Sequence, residues 1–152
     1  MNDAANDLQA IYRERVLEHS RNPHNQRRPK APDCEAIGFN PLCGDKLTVY
    51  ANLQGDKIID IAFEGTGCAI SVASASMMTD AITGCSLTEA DTLIEATQNM
   101  FRSDQPVKNA QLTEIAALEG VRSYPSRIKC ATLAWTALAA ALHGQASQIS
   151  TE

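Results

Sequence analysis

The sequence predicts an α+β fold: a small antiparallel sheet of about three strands, covered by helices. Two patterns carry that expectation. Between Glu35 and Phe63, apolar residues alternate or run in short stretches bounded by turn residues. On either side of that segment they recur at three- and four-residue spacing, the period of a helix. A length of 152 residues gives one domain, 1–152, enough chain to bury its own core.

The elements follow in order. A first helix is expected from about Ala4 to His19, with Leu8, Ile11, Tyr12 and Val16 on one face and Arg13, Glu14, Arg15 and Glu18 on the other. Pro23, Pro29 and Pro32 among polar residues then predict an extended loop. Strands are expected at Glu35–Asn40, Lys46–Leu53 and Lys57–Phe63, the last two joined as a hairpin through Gln54-Gly55-Asp56. A helix from Cys68 to about Thr83 carries Ile70, Ala73, Met77 and Ala81 on one face, and its small residues allow close approach of neighbouring backbone. Ser86-Leu87-Thr88-Glu89 is a capping box that opens the next helix, with Leu87, Ala90, Ile94, Thr97 and Phe101 on its stripe. A polar linker containing Pro106 leads to a shorter helix near Leu112–Leu118. The last helix is expected from Ser126 to Leu142, with Trp135 on its apolar stripe and Gly144 as its C-cap.

Composition excludes several classes of function. A net charge of −5 argues against nucleic acid as a partner, because phosphate binding needs a basic surface. The cluster Arg21, Arg27, Arg28 and Lys30 reads most simply as a solvated loop, with a small patch for a protein partner as the alternative. The polar start has no secretory h-region, and no stretch reaches the roughly 20 apolar residues of a membrane span. A cytoplasmic location is therefore expected, with no membrane partner. In a reducing compartment five cysteines point to metal or sulfur chemistry rather than to disulfides.

Their positions narrow the chemistry. Cys43 and Asp45 flank Gly44 in a turn before a strand, Cys68 sits where a glycine-rich loop meets a helix, and Cys130 falls in the first turns of the last helix. Three thiols and a carboxylate make a complete tetrahedral set for Zn²⁺, gathered from three separate stretches that only folding brings together. Helix N-termini favour anions, so Cys68 and Cys130 are expected to have lowered thiol pKa values. Lys46, Arg127 and Lys129 flank these positions and either offset their charge or are plain solvated surface. A redox dithiol is the weaker reading, since no Cys-x-x-Cys occurs. Cys34 and Cys85 read as ordinary thiols, and His19, His24 and His143 as exposed or structural rather than metal-binding.

Three long motifs then carry a resemblance. Asn40-Pro41-Leu42-Cys43-Gly44-Asp45, Gly65-Thr66-Gly67-Cys68-Ala69-Ile70-Ser71 and Arg127-Ile128-Lys129-Cys130-Ala131-Thr132-Leu133-Ala134-Trp135 resemble the SufU family, within the wider IscU and NifU-type iron–sulfur assembly superfamily. The opening helix and the Asn22-Pro23-His24-Asn25 loop extend the likeness over nearly the whole chain. It implies a SufE/NifU-like (IscU-like) fold and assigns zinc to Cys43, Asp45, Cys68 and Cys130. It further implies that Cys43 accepts persulfide sulfur from a PLP-dependent cysteine desulfurase of the SufS type, for delivery to downstream SUF cluster-assembly proteins. Cys43 would leave the metal on docking, its place taken by a desulfurase histidine. Arg127 resembles a SufU arginine near the zinc site and would steer Asp45 or the partner, so Cys43 and Arg127 are the expected catalytic residues. Lys129 stands where IscU scaffolds place a histidine, and the Asn109–Ser123 stretch is longer than theirs; both features resemble SufU.

Three functions are expected to compete: zinc-dependent sulfur transfer, a scaffold carrying a [2Fe–2S] cluster on the same residues, and a structural zinc module. Thiolates also bind iron, so the residue types do not separate the first two. An Asp donor and an accessible Cys-Gly-Asp turn are unusual for a purely structural site.

Overall fold

In the computed structural model, which describes residues 3–102, 110–144 and 148–150, a four-stranded sheet is backed by helices. The chain runs α1 (Asp3–Arg21), β1 (Cys34–Asn40), β2 (Asp45–Gln54), β3 (Lys57–Thr66), α2 (Ala69–Ile82), α3 (Leu87–Arg102), two 3-10 segments (Ala110–Leu112 and Ile115–Ser123), α4 (Pro125–Leu142) and β4 (Gln148–Ser150). Strand order is β3-β2-β1-β4. The three expected strands form the antiparallel sheet, with Asn40 opposite Asp45 and Val49 opposite Phe63. The short β4 adds a parallel rung along β1, from Ile37–Gln148 to Phe39–Ser150. Nothing in the local sequence announced it, because three residues paired at an edge carry no period of their own.

Alternation places Leu47, Val49, Ile61 and Phe63 in the core, and a register shift between Asn52 and Leu53 breaks the pattern so that Ile58 is buried while Ile59 turns outward. Above them α4 lies on β1 and β2, and α2 packs between α1 and α4. Trp135 is wholly buried; its indole N–H donates to Ser74 Oγ at 2.9 Å, and Ser74 donates in turn to the carbonyl of Ala131 at 2.6 Å. That chain of bonds locks α2 to α4. The small residues of α2 are what let the two helices come so close.

The capping box forms as expected: Glu89 N–H donates to Ser86 Oγ, and Ser86 N–H donates to the Glu89 carboxylate, both at 3.1 Å. Pro125 occupies the first position of α4, where its missing N–H costs nothing, so this helix begins one residue before Ser126. The expected helix near Leu112–Leu118 is instead a pair of 3-10 segments. Leu112, Ile115 and Leu118 are all buried, and their strict three-residue spacing aligns on one face at 3.0 residues per turn but drifts at 3.6. Side chains of Leu8 and Ile11 and the linker around Pro106 lie outside the described residues.

Gly65 shows what holds β3 against β2 where both lead into the cysteine-bearing segments. Its φ is +125°, and a Cβ there would sit 2.2 Å from the Lys46 carbonyl oxygen. Backbone strain and overpacking combine at this position, so Gly65→Ala should destabilise the protein by about 2–4 kcal/mol. Equilibrium denaturation in urea tests this; an unchanged midpoint would mean that the strand has room to shift.

Candidate metal centre

The centre is built on the turn between β1 and β2. Residues 41–44 connect the paired ends Asn40 and Asp45, and Gly44 at φ +71° takes the left-handed conformation that turns the chain back. Cys43 is left on the exposed side of this turn, whereas Asp45, the first residue of β2, faces inward with no exposure to solvent.

α2 begins directly beside that carboxylate. Cys68 is its N-cap residue, in extended conformation, and its side chain makes no capping bond. Asp45 supplies the cap from another element: Cys68 N–H donates to Asp45 Oδ1 at 2.8 Å, and Ser71 Oγ, in the first turn, donates to Oδ2 at 2.7 Å. Asn40 Nδ2 completes the cradle, 3.3 Å from Asp45 Oδ2 and 3.4 Å from Cys130 Sγ. Burial alone would raise the Asp45 pKa. The hydrogen bonds from Ser71, the Cys68 amide, Cys130 and Asn40 outweigh it and hold the carboxyl below its usual value.

The structure brings Cys43, Asp45 and Cys130 together, with one potential ligand atom of each inside 4.8 Å of the others. Cys43 and Cys130 sulfurs are 3.2 Å apart, and Cys68 Sγ lies 3.9 Å from Asp45 Oδ2. All four expected residues thus meet at one corner of the fold. The expectation of a lowered Cys130 pKa is overturned: this thiol is wholly buried, and burial followed by its neighbours Cys43, Asp45 and Cys68 pushes it up, overriding its place near a helix start. A cation in the cluster is what would stabilise its thiolate.

Among the flanking cations, Arg127 reaches the cluster, with Nη1 4.0 Å from Cys43 Sγ. Its hydrogen bond to Cys130 and the charges of Cys43, Cys68 and Cys130 raise its own pKa, so it stands as a fixed positive charge at the mouth of the site. Beside it opens a shallow cleft of about 440 Å³ lined by Ile70, Gly120, Val121, Tyr124 and Arg127. Leu42 and Tyr124 are exposed large apolar side chains on this side of the molecule.

Cys34 and Cys85 stay outside the cluster, and burial raises both thiols. His24 and His143 are exposed and bonded to Asp80 and Asp91. His19 is buried, between Ser76 and Glu114. Two residues that cradle Asp45 were not singled out from the sequence, Asn40 and Ser71. Each had a signal: Asn40 closes the β1 end of the Cys43 turn, and Ser71 stands three residues after an N-cap cysteine.

Residues 11–131 match the NifU-like N-terminal domain family. The chain belongs to that family. Among its NifU-like relatives, the iron–sulfur cluster assembly scaffold protein IscU of Streptococcus pyogenes is 40% identical over 95% of this chain and 90% of its own length. The zinc-dependent sulfurtransferase SufU of Bacillus subtilis is also 40% identical, over 87% of this chain and 89% of its own. A crystal structure from Fervidobacterium islandicum, described as an iron–sulfur cluster assembly scaffold for the SUF system, superposes with a TM-score of 0.81 at 34% identity, covering 88% of this chain and 98% of its own. The NifU-like fold read from the motifs is therefore the fold observed. Among the described residues, no helix is long and apolar enough to cross a membrane.

Ser71→Ala removes a charge-assisted bond to a buried carboxylate, so it should cost about 1.5–3 kcal/mol at neutral pH in the metal-free protein. Because the folded Asp45 pKa lies below its unfolded value, this stabilisation is complete above about pH 4 and is lost as pH falls through the depressed folded value. Urea denaturation of both proteins at a series of pH values should show the gap shrinking toward acid. A gap independent of pH would mean that Ser71 acts through packing alone.

Proposed function

We propose that this protein is a zinc-dependent sulfurtransferase that takes persulfide sulfur from a SufS-type, PLP-dependent cysteine desulfurase and passes it to SUF cluster-assembly proteins in the cytoplasm. The observation that carries the reading is the uneven burial of the cluster: Asp45 and Cys130 are sealed inside, while Cys43 is exposed beside Arg127.

Cys43, Asp45, Cys68 and Cys130 would hold the zinc. The donor set fits, since one carboxylate is already anionic and three thiols adjoin it. Bound there, Zn²⁺ supplies the positive charge that keeps the thiols deprotonated.

The chain's own part in transfer is a thiol exchange. The Cys43 thiolate attacks the outer sulfur of the desulfurase persulfide. A new S–S bond forms on Cys43, the old one breaks, and the desulfurase cysteine leaves as a thiolate, so the step needs no outside oxidant or reductant. Arg127 balances the negative charge on the attacking sulfur and remains fully ionised throughout. The exposed Leu42 and Tyr124 give an incoming protein apolar surface to cover on this side.

A scaffold holding a [2Fe–2S] cluster on the same residues is the second reading, favoured by the likeness to the streptococcal IscU. Lys129 weighs against it, because it replaces the histidine that IscU scaffolds carry before the third cysteine. Desulfurase turnover separates the two. With a SufS-type desulfurase and cysteine, alanine production should rise strongly on adding the zinc-loaded protein, and Cys43→Ser should return it to the unstimulated rate. Arg127→Ala should lower the maximal stimulation by up to about fivefold, the size of an exposed charge contact. Full stimulation by Cys43→Ser would eliminate the transferase mechanism. No stimulation by the wild type, with a coloured cluster forming on anaerobic addition of iron and sulfide, would favour the scaffold.

A further inference from the structure

A second cluster of ligand-type side chains lies toward the far end of α2. His19 in the last turn of α1, His24 in the loop that follows and Asp80 on α2 each offer one ligand atom, and the three atoms lie within 4.8 Å of one another. His24 Nδ1 is 2.5 Å from Asp80 Oδ2, and the two imidazole rings are 4.6 Å apart between centroids, tilted by 48°. From Cys68 to Asp80 the helix rises roughly 18 Å at 1.5 Å per residue, so this cluster shares no ion with the cysteines.

The arrangement is held in place before any ligand arrives. His24 N–H donates to Ser76 Oγ at 2.8 Å. The next residue, Asn25, has φ +59°, and its side-chain amide donates to Thr79 Oγ1 at 2.9 Å. Its carbonyl also accepts the Phe63 N–H at 3.1 Å, which ties the loop to β3. His19 is buried, with Ser76 Oγ 2.7 Å from Nδ1 and Glu114 Oε2 3.1 Å from Nε2. Whichever ring nitrogen turns to a metal, the other keeps a partner that orients the ring, the usual support for a metal-bound histidine.

Two imidazoles and a carboxylate are a donor set that suits zinc and similar divalent ions. Access exists through a cavity of about 350 Å³ lined by Glu14, Arg15, Glu18, His19, His24 and Glu114. Three carboxylates against one guanidinium in that lining make a field that draws cations, and Arg15 is itself paired with Glu114. We propose that His19, His24 and Asp80 form a second divalent-metal site, of nitrogen and oxygen donors, separate from the cysteine centre.

Cobalt titration of the full-length protein under anaerobic conditions tests this, because Co²⁺ reports its ligands by absorption. Thiolate-bound Co²⁺ gives an intense near-ultraviolet charge-transfer band, and Co²⁺ on nitrogen and oxygen gives weak visible bands alone. The wild type should bind two equivalents, one with the thiolate band and one without it. The double variant His24→Ala/Asp80→Ala changes two exposed side chains and should retain the thiolate band. Its second equivalent should bind at least about 10-fold more weakly. Binding of a single equivalent that carries the thiolate band up to millimolar Co²⁺, or undiminished nitrogen- and oxygen-bound Co²⁺ in the variant, would overturn the proposal and leave these residues as plain ion pairs. A single equivalent without any thiolate band, weakened in the double variant, would support this site while removing the cysteine centre, so the two readings fail separately.

Discussion

Asp45 is a carboxylate without access to water, and the corner of the molecule that holds the cysteines is arranged around satisfying it. An unpaired charge in such a place would cost several kcal/mol or give up its ionisation. Its hydrogen-bond donors come from three different elements: Asn40 at the end of β1, the Cys68 amide and Ser71 at the start of α2, and the Cys130 thiol on α4. The full set of bonds exists only when all three elements have docked on β2. Satisfying the carboxylate and gathering the thiols therefore rest on the same packing.

α2 carries this logic along its length. Ser71, Ser74, Ser76 and Thr79 are all fully buried, so each hydroxyl must find a partner. Ser71 turns to Asp45, Ser74 to the Ala131 carbonyl and the Trp135 indole, Ser76 to His19 and the His24 amide, and Thr79 to the Ser76 carbonyl and Asn25. The helix is thus a polar seam between α1 and α4, where small side chains allow close packing and their hydroxyls fix its rotation. A larger apolar residue at any of these positions would both crowd a neighbour and strand a polar group. The cysteine corner and the histidine cluster stand on one rigid beam as a result.

What the sequence made legible follows from which constraints are local. The hairpin, the capping box and the stripe of α3 depend on residues a few positions apart, and each appeared where the pattern put it. Cys43, Asp45, Cys68 and Cys130 could be grouped because few residue types bind soft metals, and their motifs match a known family. Asn40 and Ser71 were harder to see, since an asparagine in a turn and a serine on a small-residue helix have many ordinary explanations. The rise in the Cys130 pKa was invisible for a different reason: a helix start is written in the local sequence, but burial depends on everything packed above it. The pairing of His19 with His24 depends on α2 and Glu114, distant in sequence, so neither histidine alone announced a cluster.

The energetics of the cysteine corner also decide which of its residues can move. Withdrawing Asp45 would leave the buried Asn40 and Ser71 with only their longer contacts to Cys130, at about 1–3 kcal/mol for each, and would take the acceptor from the half-buried Cys68 amide. Moving Cys130 would disturb a helix packed against the sheet. Cys43 is secured by neither means. It sits in a four-residue turn beside a left-handed glycine, and its contacts are a neighbouring thiol and a guanidinium 4.0 Å away, both weak. A cluster scaffold gains from keeping every ligand, whereas a sulfur carrier must let one go. In this chain Cys43 is held less firmly than Asp45 or Cys130 and is also the exposed one, and that coincidence is what the proposed carrier role requires.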